Sequence, residues 1–279
     1  MKKEKWIALC PLLFFCCASM PFKEKAFDSV SSSLDLYSFD KSATADIGAV
    51  YHYEKSNIDG SSKADVWIYI ASETRTESFK IYPSTKLQGR SDLVIADYDF
   101  KIMSAAEINA YFVNSKGERT LNAKAFTADG KKYEFIIGKQ KQSVDAGNIP
   151  SFNYNFDWCD LGFTYRHIAD KKTRFETGVI VPNSQLKMIY AGKCSFEYRG
   201  IENFKGYDCY KYEISGEAFN EKSGNLFADS NTGIIIEINM PLRNNPGYNS
   251  FLFTLVDKFN FTNDEWNDFI LSETKKVIG

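Results

Sequence analysis

Apolar and polar residues alternate in short runs from residue 48 onward, which is the pattern of half-buried β-strands. In the strand predicted over 64–71, Val66 and Ile68 point to one side, while Trp67 and Tyr69 point to the other. Because both sides are apolar, we expect this strand to be covered on both of its faces.

The same pattern predicts a mainly β domain built as an antiparallel meander. Asp59-Gly60 and Asp129-Gly130 are dipeptides typical of tight hairpin turns, and each lies between two predicted strands. Strands are predicted over 49–54, 64–71, 78–82, 92–100, 107–113, 119–126, 132–137, 174–181, 187–191, 195–199, 207–215, 224–228, 234–240 and 251–259.

Two segments are predicted to be helical. Residues 155–167 have a mixed period that favours a helix over a strand. Near the C-terminus, Thr262 and Glu265 have the spacing of a capping box ahead of Trp266 and Phe269, which predicts a short amphipathic helix over 263–273.

The N-terminus has the pattern of an export signal. A basic start at 2–5 is followed by an uncharged, apolar run from Trp6 to Met20, which is short for a membrane span. We therefore expect a signal peptide over 1–20, a poorly ordered lead-in over 21–47, and one β domain over 48–279.

The leader leaves two outcomes open. Leu13 lies three residues before Cys16, as in lipoprotein signals, which predicts a lipid anchor on Cys16 and a membrane tether. Phe15 departs from the small residue usual at that position, so ordinary cleavage to a soluble product is the alternative. Either outcome predicts a periplasmic or outer-membrane-associated protein.

Composition narrows the classes of partner. The chain of 279 residues is 44% apolar and 15% aromatic, and its formal net charge is −2. A nucleic-acid partner would usually require a basic face, so none is expected. The length suffices to bury one large core.

Cys194 and Cys209 are 15 residues apart in a segment read as two neighbouring strands. In an oxidising compartment this spacing suggests a disulfide between them, and two buried free thiols are the equally weighted alternative. No Cys-x-x-Cys pair occurs that would indicate zinc or redox chemistry.

The sequence offers little for catalysis. His52 and His167 are the only histidines, and no nucleophile elbow, phosphate loop or zinc-binding helix motif occurs. Asp97 and Asp99 would share one face of a strand, an arrangement that is far more often solvated than catalytic. We therefore expect a protein that is not an enzyme and that has no metal and no cofactor.

The excess of aromatic residues on predicted strands points to a binding role instead. A curved sheet with such a lining encloses an apolar cavity, although a filled core is the simpler alternative. The residues expected to line the cavity are Trp67, Tyr69, Phe100, Phe112, Phe135, Tyr212 and Phe227.

Two segments of the second half carry a resemblance. Residues 196–212 read Phe-Glu-Tyr-Arg-Gly-Ile-Glu-Asn-Phe-Lys-Gly-Tyr-Asp-Cys-Tyr-Lys-Tyr, and residues 224–233 read Gly-Asn-Leu-Phe-Ala-Asp-Ser-Asn-Thr-Gly. This rhythm resembles the hairpins of the LolA/LolB-like superfamily, and most of all an uncharacterised periplasmic family within it. Phe227 stands where a Trp is usual there.

The resemblance implies an architecture and a class of ligand. It implies a curved antiparallel sheet, a half-barrel of about eleven strands, wrapped over one or two helices. In the carriers of that superfamily the concave face holds lipid acyl chains, so we expect an apolar ligand such as a lipid. The alternative is an envelope scaffold with a filled core and an unidentified protein partner.

Overall fold

The computed structural model describes residue 40 and residues 43–82, 89–147, 151–153, 164–183, 185, 187–219, 223–245 and 248–278. The predicted signal peptide over 1–20, with Cys16, lies outside these residues. So does most of the predicted lead-in and most of the helix predicted over 155–167, of which Tyr165–His167 form a 3-10 turn.

The domain is mainly β, as predicted. The strands are β1 (Ala49–Ser56), β2 (Ala64–Ser72), β3 (Arg75–Ile81), β4 (Ser91–Asp99), β5 (Ser104–Val113), β6 (Arg119–Phe126), β7 (Lys132–Ile137), β8 (Gln140–Asp145), β9 (Ser151–Asn153), β10 (Phe175–Pro182), β11 (Met188–Phe204), β12 (Tyr207–Ser215), β13 (Gly224–Asp229), β14 (Ile235–Asn245) and β15 (Tyr248–Asn260), followed by helix α1 (Asn263–Ile278).

The fifteen strands within the described residues belong to one sheet, in the order β8-β7-β6-β5-β4-β3-β2-β1-β15-β14-β13-β12-β11-β10-β9. Neighbours in this order are also neighbours in sequence except at the centre, where β1 pairs with β15. Every pair is antiparallel except β9 with β10, which is parallel. The meander is thus confirmed, with more strands than the roughly eleven that the resemblance implied.

Both predicted Asp-Gly dipeptides form turns, the first between β1 and β2 and the second between β6 and β7. Gly60 and Gly130 have φ of 79° and 72°, a left-handed conformation that other residues rarely adopt. At Gly130 a side chain would also meet Ile102, since a Cβ there would lie 3.0 Å from the Cβ of Ile102.

Some boundaries differ from prediction for identifiable reasons. The runs over 187–191 and 195–199 are parts of the single strand β11, because Gly192 and Gly200 lie at register shifts rather than at turns. Strand β8 was missed because Val144 is its one apolar residue.

Strand β2 is covered on both faces, as its sequence predicted. Val66 and Ile68 belong to a large buried cluster on one side of the sheet. Trp67 and Tyr69 belong to a second cluster on the other side, where they pack against Trp266 of α1. We call these sides the inner face and the outer face.

The capping box at the start of α1 is confirmed. The backbone N–H of Thr262 donates to Glu265 Oε2 at 2.7 Å, and the N–H of Glu265 donates to Thr262 Oγ1 at 3.3 Å. These two bonds satisfy donors that a helix start leaves without partners. The helix extends past the predicted end to Ile278.

Of the two alternatives for Cys194 and Cys209, the structure has the free thiols, and both are buried. In the β11–β12 hairpin Cys209 lies opposite Glu202, eight residues along β11 from Cys194. At about 3.3 Å per residue this places the two cysteines about 26 Å apart along the strand, far beyond disulfide reach. The alternative of two buried thiols is therefore correct.

Candidate apolar binding face

Aromatic side chains dominate the buried cluster of the inner face. Alternation along each strand turns every second residue to this side, so that Tyr133 and Phe135 of β7 both point inward and are almost fully buried. Further inner-face aromatics come from strands at the centre and at the other end of the sheet. They are Tyr51, Tyr53, Phe175, Phe196, Tyr212, Phe251 and Phe253.

These rings contact one another rather than forming isolated patches. Phe175 stacks on Phe196 with ring centroids 4.5 Å apart, and Tyr212 meets Phe175 edge-on at 5.4 Å. Tyr53 stacks on Phe253 at 4.2 Å. Offset and edge-on pairs of this kind stabilise beyond the apolar area that they bury.

The tyrosine hydroxyls on this face have partners within the chain. Tyr53 donates to the carbonyl oxygen of Ile235 at 3.0 Å. Tyr212 donates to the carbonyl oxygen of Lys171, and the hydroxyls of Tyr165 and Tyr212 are 2.8 Å apart. Burial raises the pKa of Tyr53, Tyr165 and Tyr212, so these residues remain neutral at physiological pH.

Polar residues occupy one rim of the inner face. Lys258 Nζ donates to Asp46 Oδ2 at 2.5 Å, and this bond is the main reason why the pKa of Asp46 is lowered. The ring of His167 packs against Phe100 with centroids 4.2 Å apart. Burial, followed by the nearby charge of Arg166, lowers the pKa of His167.

The described lead-in residues contact this rim. The N–H of Asp40 donates to the carbonyl oxygen of His167 at 2.8 Å, and the N–H of Ala45 donates to Glu73 Oε2 at 2.9 Å.

Each edge strand of the sheet contacts a strand that is not its neighbour, without pairing with it. Among the described strands, β8 pairs with β7 alone and β9 with β10 alone. The N–H of Met188, at the start of β11, donates to Gln142 Oε1 of β8 at 3.1 Å. Ser104 Oγ donates to the carbonyl oxygen of Ser151 at 2.7 Å. The sheet is therefore curved but open, and we call the line between β8 and the start of β11 the seam.

The predicted cavity residues do not all meet. Phe135 and Tyr212 lie in the inner-face cluster, and Phe100 packs against it. Trp67 and Tyr69 instead lie under α1 on the outer face, since alternation turns them away from Val66 and Ile68.

The remaining two predicted residues, Phe112 and Phe227, do not belong to the inner-face cluster. Phe227 stacks on Phe204 at 3.9 Å in a small outer cluster that includes Cys209. The guanidinium carbon of Arg90 lies over the Phe112 ring, 3.5 Å from the centroid of that ring.

Several inner-face residues were not singled out from the sequence. Tyr133 precedes Phe135 by two positions, and Phe251 precedes Phe253 by two, so period-two spacing could have found them. Tyr165 has no such signal, because it lies in a 3-10 turn and meets Tyr212 only through the tertiary fold.

The residues considered for chemistry have structural contacts. His52 stacks on Trp67 at 4.7 Å and bonds to Asp65 at 2.9 Å. Asp97 forms a two-point ion pair with Arg75. Within the described ranges, no three His, Cys, Asp or Glu side chains gather as metal ligands would. No helix in the same ranges is long and apolar enough to cross a membrane.

A groove of about 530 Å³ lies on the outer face, away from the aromatic cluster. Its lining includes Glu54, Lys205 and Glu237. Glu237 accepts hydrogen bonds from Lys205 Nζ at 2.7 Å and from Thr254 Oγ1 at 3.1 Å. Because this groove is charged and open, it suits an apolar ligand less well than the inner face does.

No family model matches the chain, and no curated protein matches it. Among solved structures, the chain is similar to a domain assigned to outer membrane lipoprotein sorting from Vibrio parahaemolyticus, at 12% identity and a TM-score of 0.32, covering 81% of this chain and 91% of the other. It is also similar to a DUF1329 family protein from Desulfovibrio piger, at 9% identity and a TM-score of 0.30, covering 78% and 88%.

These are the kinds of protein that the sequence resemblance indicated.

Proposed function

We propose that this chain is a non-catalytic, exported protein of the cell envelope that binds an apolar ligand, such as a lipid or an acyl chain, against its inner face. The observation that carries the proposal is the cluster of contacting aromatic side chains on one face of an open, curved sheet. The apolar leader over 1–20 supports export.

The seam supplies a route to this face. Because the hydrogen bond from the backbone N–H of Met188 to the Gln142 side chain joins β8 to β11, rather than a backbone ladder, these two strands separate without the loss of sheet pairing. An acyl chain would enter there and replace contacts between aromatic rings with contacts to its own methylene groups. Such an exchange is nearly neutral in buried apolar area, so the ligand need not unfold the sheet.

Uptake of a fluorescent fatty acid by delipidated protein tests the proposal. We expect saturable binding that an unlabelled fatty acid displaces. Ile137 packs on the inner face beside the seam, so Ile137→Asp places a charge at the entrance and weakens uptake. Leu121→Asp, on an exposed residue of β6, is the matched control and leaves uptake unchanged. The absence of uptake by the unmodified chain would overturn the proposal.

A second candidate function is an envelope scaffold whose inner face is permanently filled by its own side chains. The internal hydrogen bonds of Tyr53 and Tyr212 favour it, because a ligand-free interior needs such satisfied hydroxyls. A scaffold would take up no fatty acid and would instead retain a protein partner from envelope extracts.

A further inference from the structure

The outer rim of the seam combines exposed lysines with two isoleucines, of which Ile136 is half-buried and Ile189 is exposed. Lys139 lies in the turn between β7 and β8, and Lys141 follows on β8. Ile136 lies opposite Lys141 in the ladder. Since Phe135 and Ile137 point to the inner face, Ile136 and Lys141 point outward together.

The other side of the seam repeats this combination. Lys187 and Ile189 flank Met188, whose N–H donates to Gln142 Oε1 at 3.1 Å. Lys187 is exposed, and Ile189 retains 39% of its accessible surface although Met188 between them is buried. We call Ile136, Lys139, Lys141, Lys187 and Ile189 the rim patch.

The charge of the rim patch is not neutralised locally. Among the described residues, no carboxylate lies within ion-pair distance of Lys139, Lys141 or Lys187. The nearest acid in the ladder, Glu134, pairs with Lys132 at 3.5 Å. Residues 131–145 contain four lysines and two acids, a local charge of +2, whereas the whole chain has −2.

We infer that the rim patch docks the protein on an anionic lipid membrane. Lysines attract the anionic headgroups of the membrane. The isoleucines beside them would insert into the membrane interface, which accounts for apolar residues among the charges. An acidic protein surface would match the lysines, but it would leave Ile136 and Ile189 without a comparable apolar environment.

This inference rests on the proposed function and extends it to the source of the ligand. Docking through the rim patch would place the seam against the membrane. An acyl chain would then pass between the bilayer and the inner face without crossing water, where each exposed methylene is unfavourable.

Sedimentation with vesicles tests the inference. The purified chain is mixed with phosphatidylcholine vesicles, with and without phosphatidylserine, at low and high salt. We expect binding only with phosphatidylserine, and weaker binding at high salt because salt screens exposed charges. Replacing both Lys139→Gln and Lys141→Gln should lower the affinity roughly 25-fold, about fivefold per lysine.

The matched control replaces two exposed lysines in turns elsewhere, Lys101→Gln and Lys172→Gln, which removes the same charge. It should retain full binding, whereas Ile189→Ser should weaken binding even at low salt. No binding to phosphatidylserine vesicles, or equal loss in the control, overturns the inference. So does capture of an acidic protein through the same lysines when vesicles are not bound.

Fatty-acid uptake in solution, without vesicles, separates the two proposals. If the protein takes up fatty acid but does not bind vesicles, only the inference of membrane docking is overturned. If the unmodified chain takes up no fatty acid, the proposed function itself is overturned.

Discussion

The indole N–H of Trp266 in α1 donates to Glu77 Oε2 in β3 at 2.9 Å, and both side chains are buried beneath the helix. This bond fixes the helix on the outer face, where Trp266 also stacks on Tyr69 at 5.2 Å. The outer face of this half of the sheet is therefore covered by α1, whereas the proposed ligand would lie against the inner face.

Removal of the Trp266 ring should destabilise the domain strongly. Trp266→Ala leaves a cavity and an unpaired buried carboxylate, so we expect the free energy of unfolding to fall by about 3–5 kcal/mol, measured by urea denaturation. Asp268→Ala, on an exposed position of the same helix, should change it by less than about 0.5 kcal/mol. Similar values for the two variants would mean that α1 does not dock as described.

The capping box should contribute a smaller amount. Thr262→Ala removes the hydroxyl that accepts from the N–H of Glu265, so we expect a loss of about 1 kcal/mol in unfolding free energy. Thr262→Ser retains the hydroxyl and should recover most of that loss. If the serine variant is as unstable as the alanine variant, the hydroxyl is not the cause.

The cysteines should behave as protected thiols. Burial, with a contribution from Asp229, raises the pKa of Cys209 to about 11, and burial raises that of Cys194. Both should resist iodoacetamide in the native protein and react after unfolding, as followed by peptide mapping. A peptide that joins Cys194 to Cys209 by a disulfide would contradict the hairpin register.

His167 should make stability depend on pH. Its pKa is lowered by burial and by Arg166 and Lys171, against the opposing charge of Glu73 and the bond from Asp40. Because the unfolded state binds the proton more readily, the free energy of unfolding should fall as pH drops below about 6.5.

Urea denaturation between pH 7.5 and 5.5 measures the contribution of His167, since carboxylates with lowered pKa values titrate below this window. His167→Gln removes the titrating group and should flatten the dependence. If the free energy of unfolding of His167→Gln depends on pH as steeply as that of the unmodified chain, other residues cause the dependence.

The sequence predicted those parts of the fold that local pattern determines. Period-two alternation located most strands and both faces of β2, and the spacing of Thr262 and Glu265 located α1. It did not locate β8, because an edge strand needs few apolar residues. It also could not set the register of β11 against β12, which is why a disulfide between Cys194 and Cys209 stayed open beside the alternative of two buried thiols.

The sequence could predict that aromatic residues line the candidate site, but not which of them do. Alternation indicates which residues share a face of one strand, but not which face becomes the inside of the curved sheet. Trp67 and Tyr69 therefore looked equivalent to Phe135, although α1 covers them on the outer face. Only the tertiary fold decides this, since α1 lies some 200 residues along the chain from β2.

The site at which an acyl chain binds tests the central claim most directly. A fatty acid with a photoactivatable diazirine in its chain is bound to the delipidated protein, irradiated, and located by peptide mass spectrometry. We predict adducts on inner-face peptides that contain Tyr133, Phe135 or Tyr212. Adducts confined to the outer groove, on peptides that contain Lys205 or Glu237, would contradict the claim.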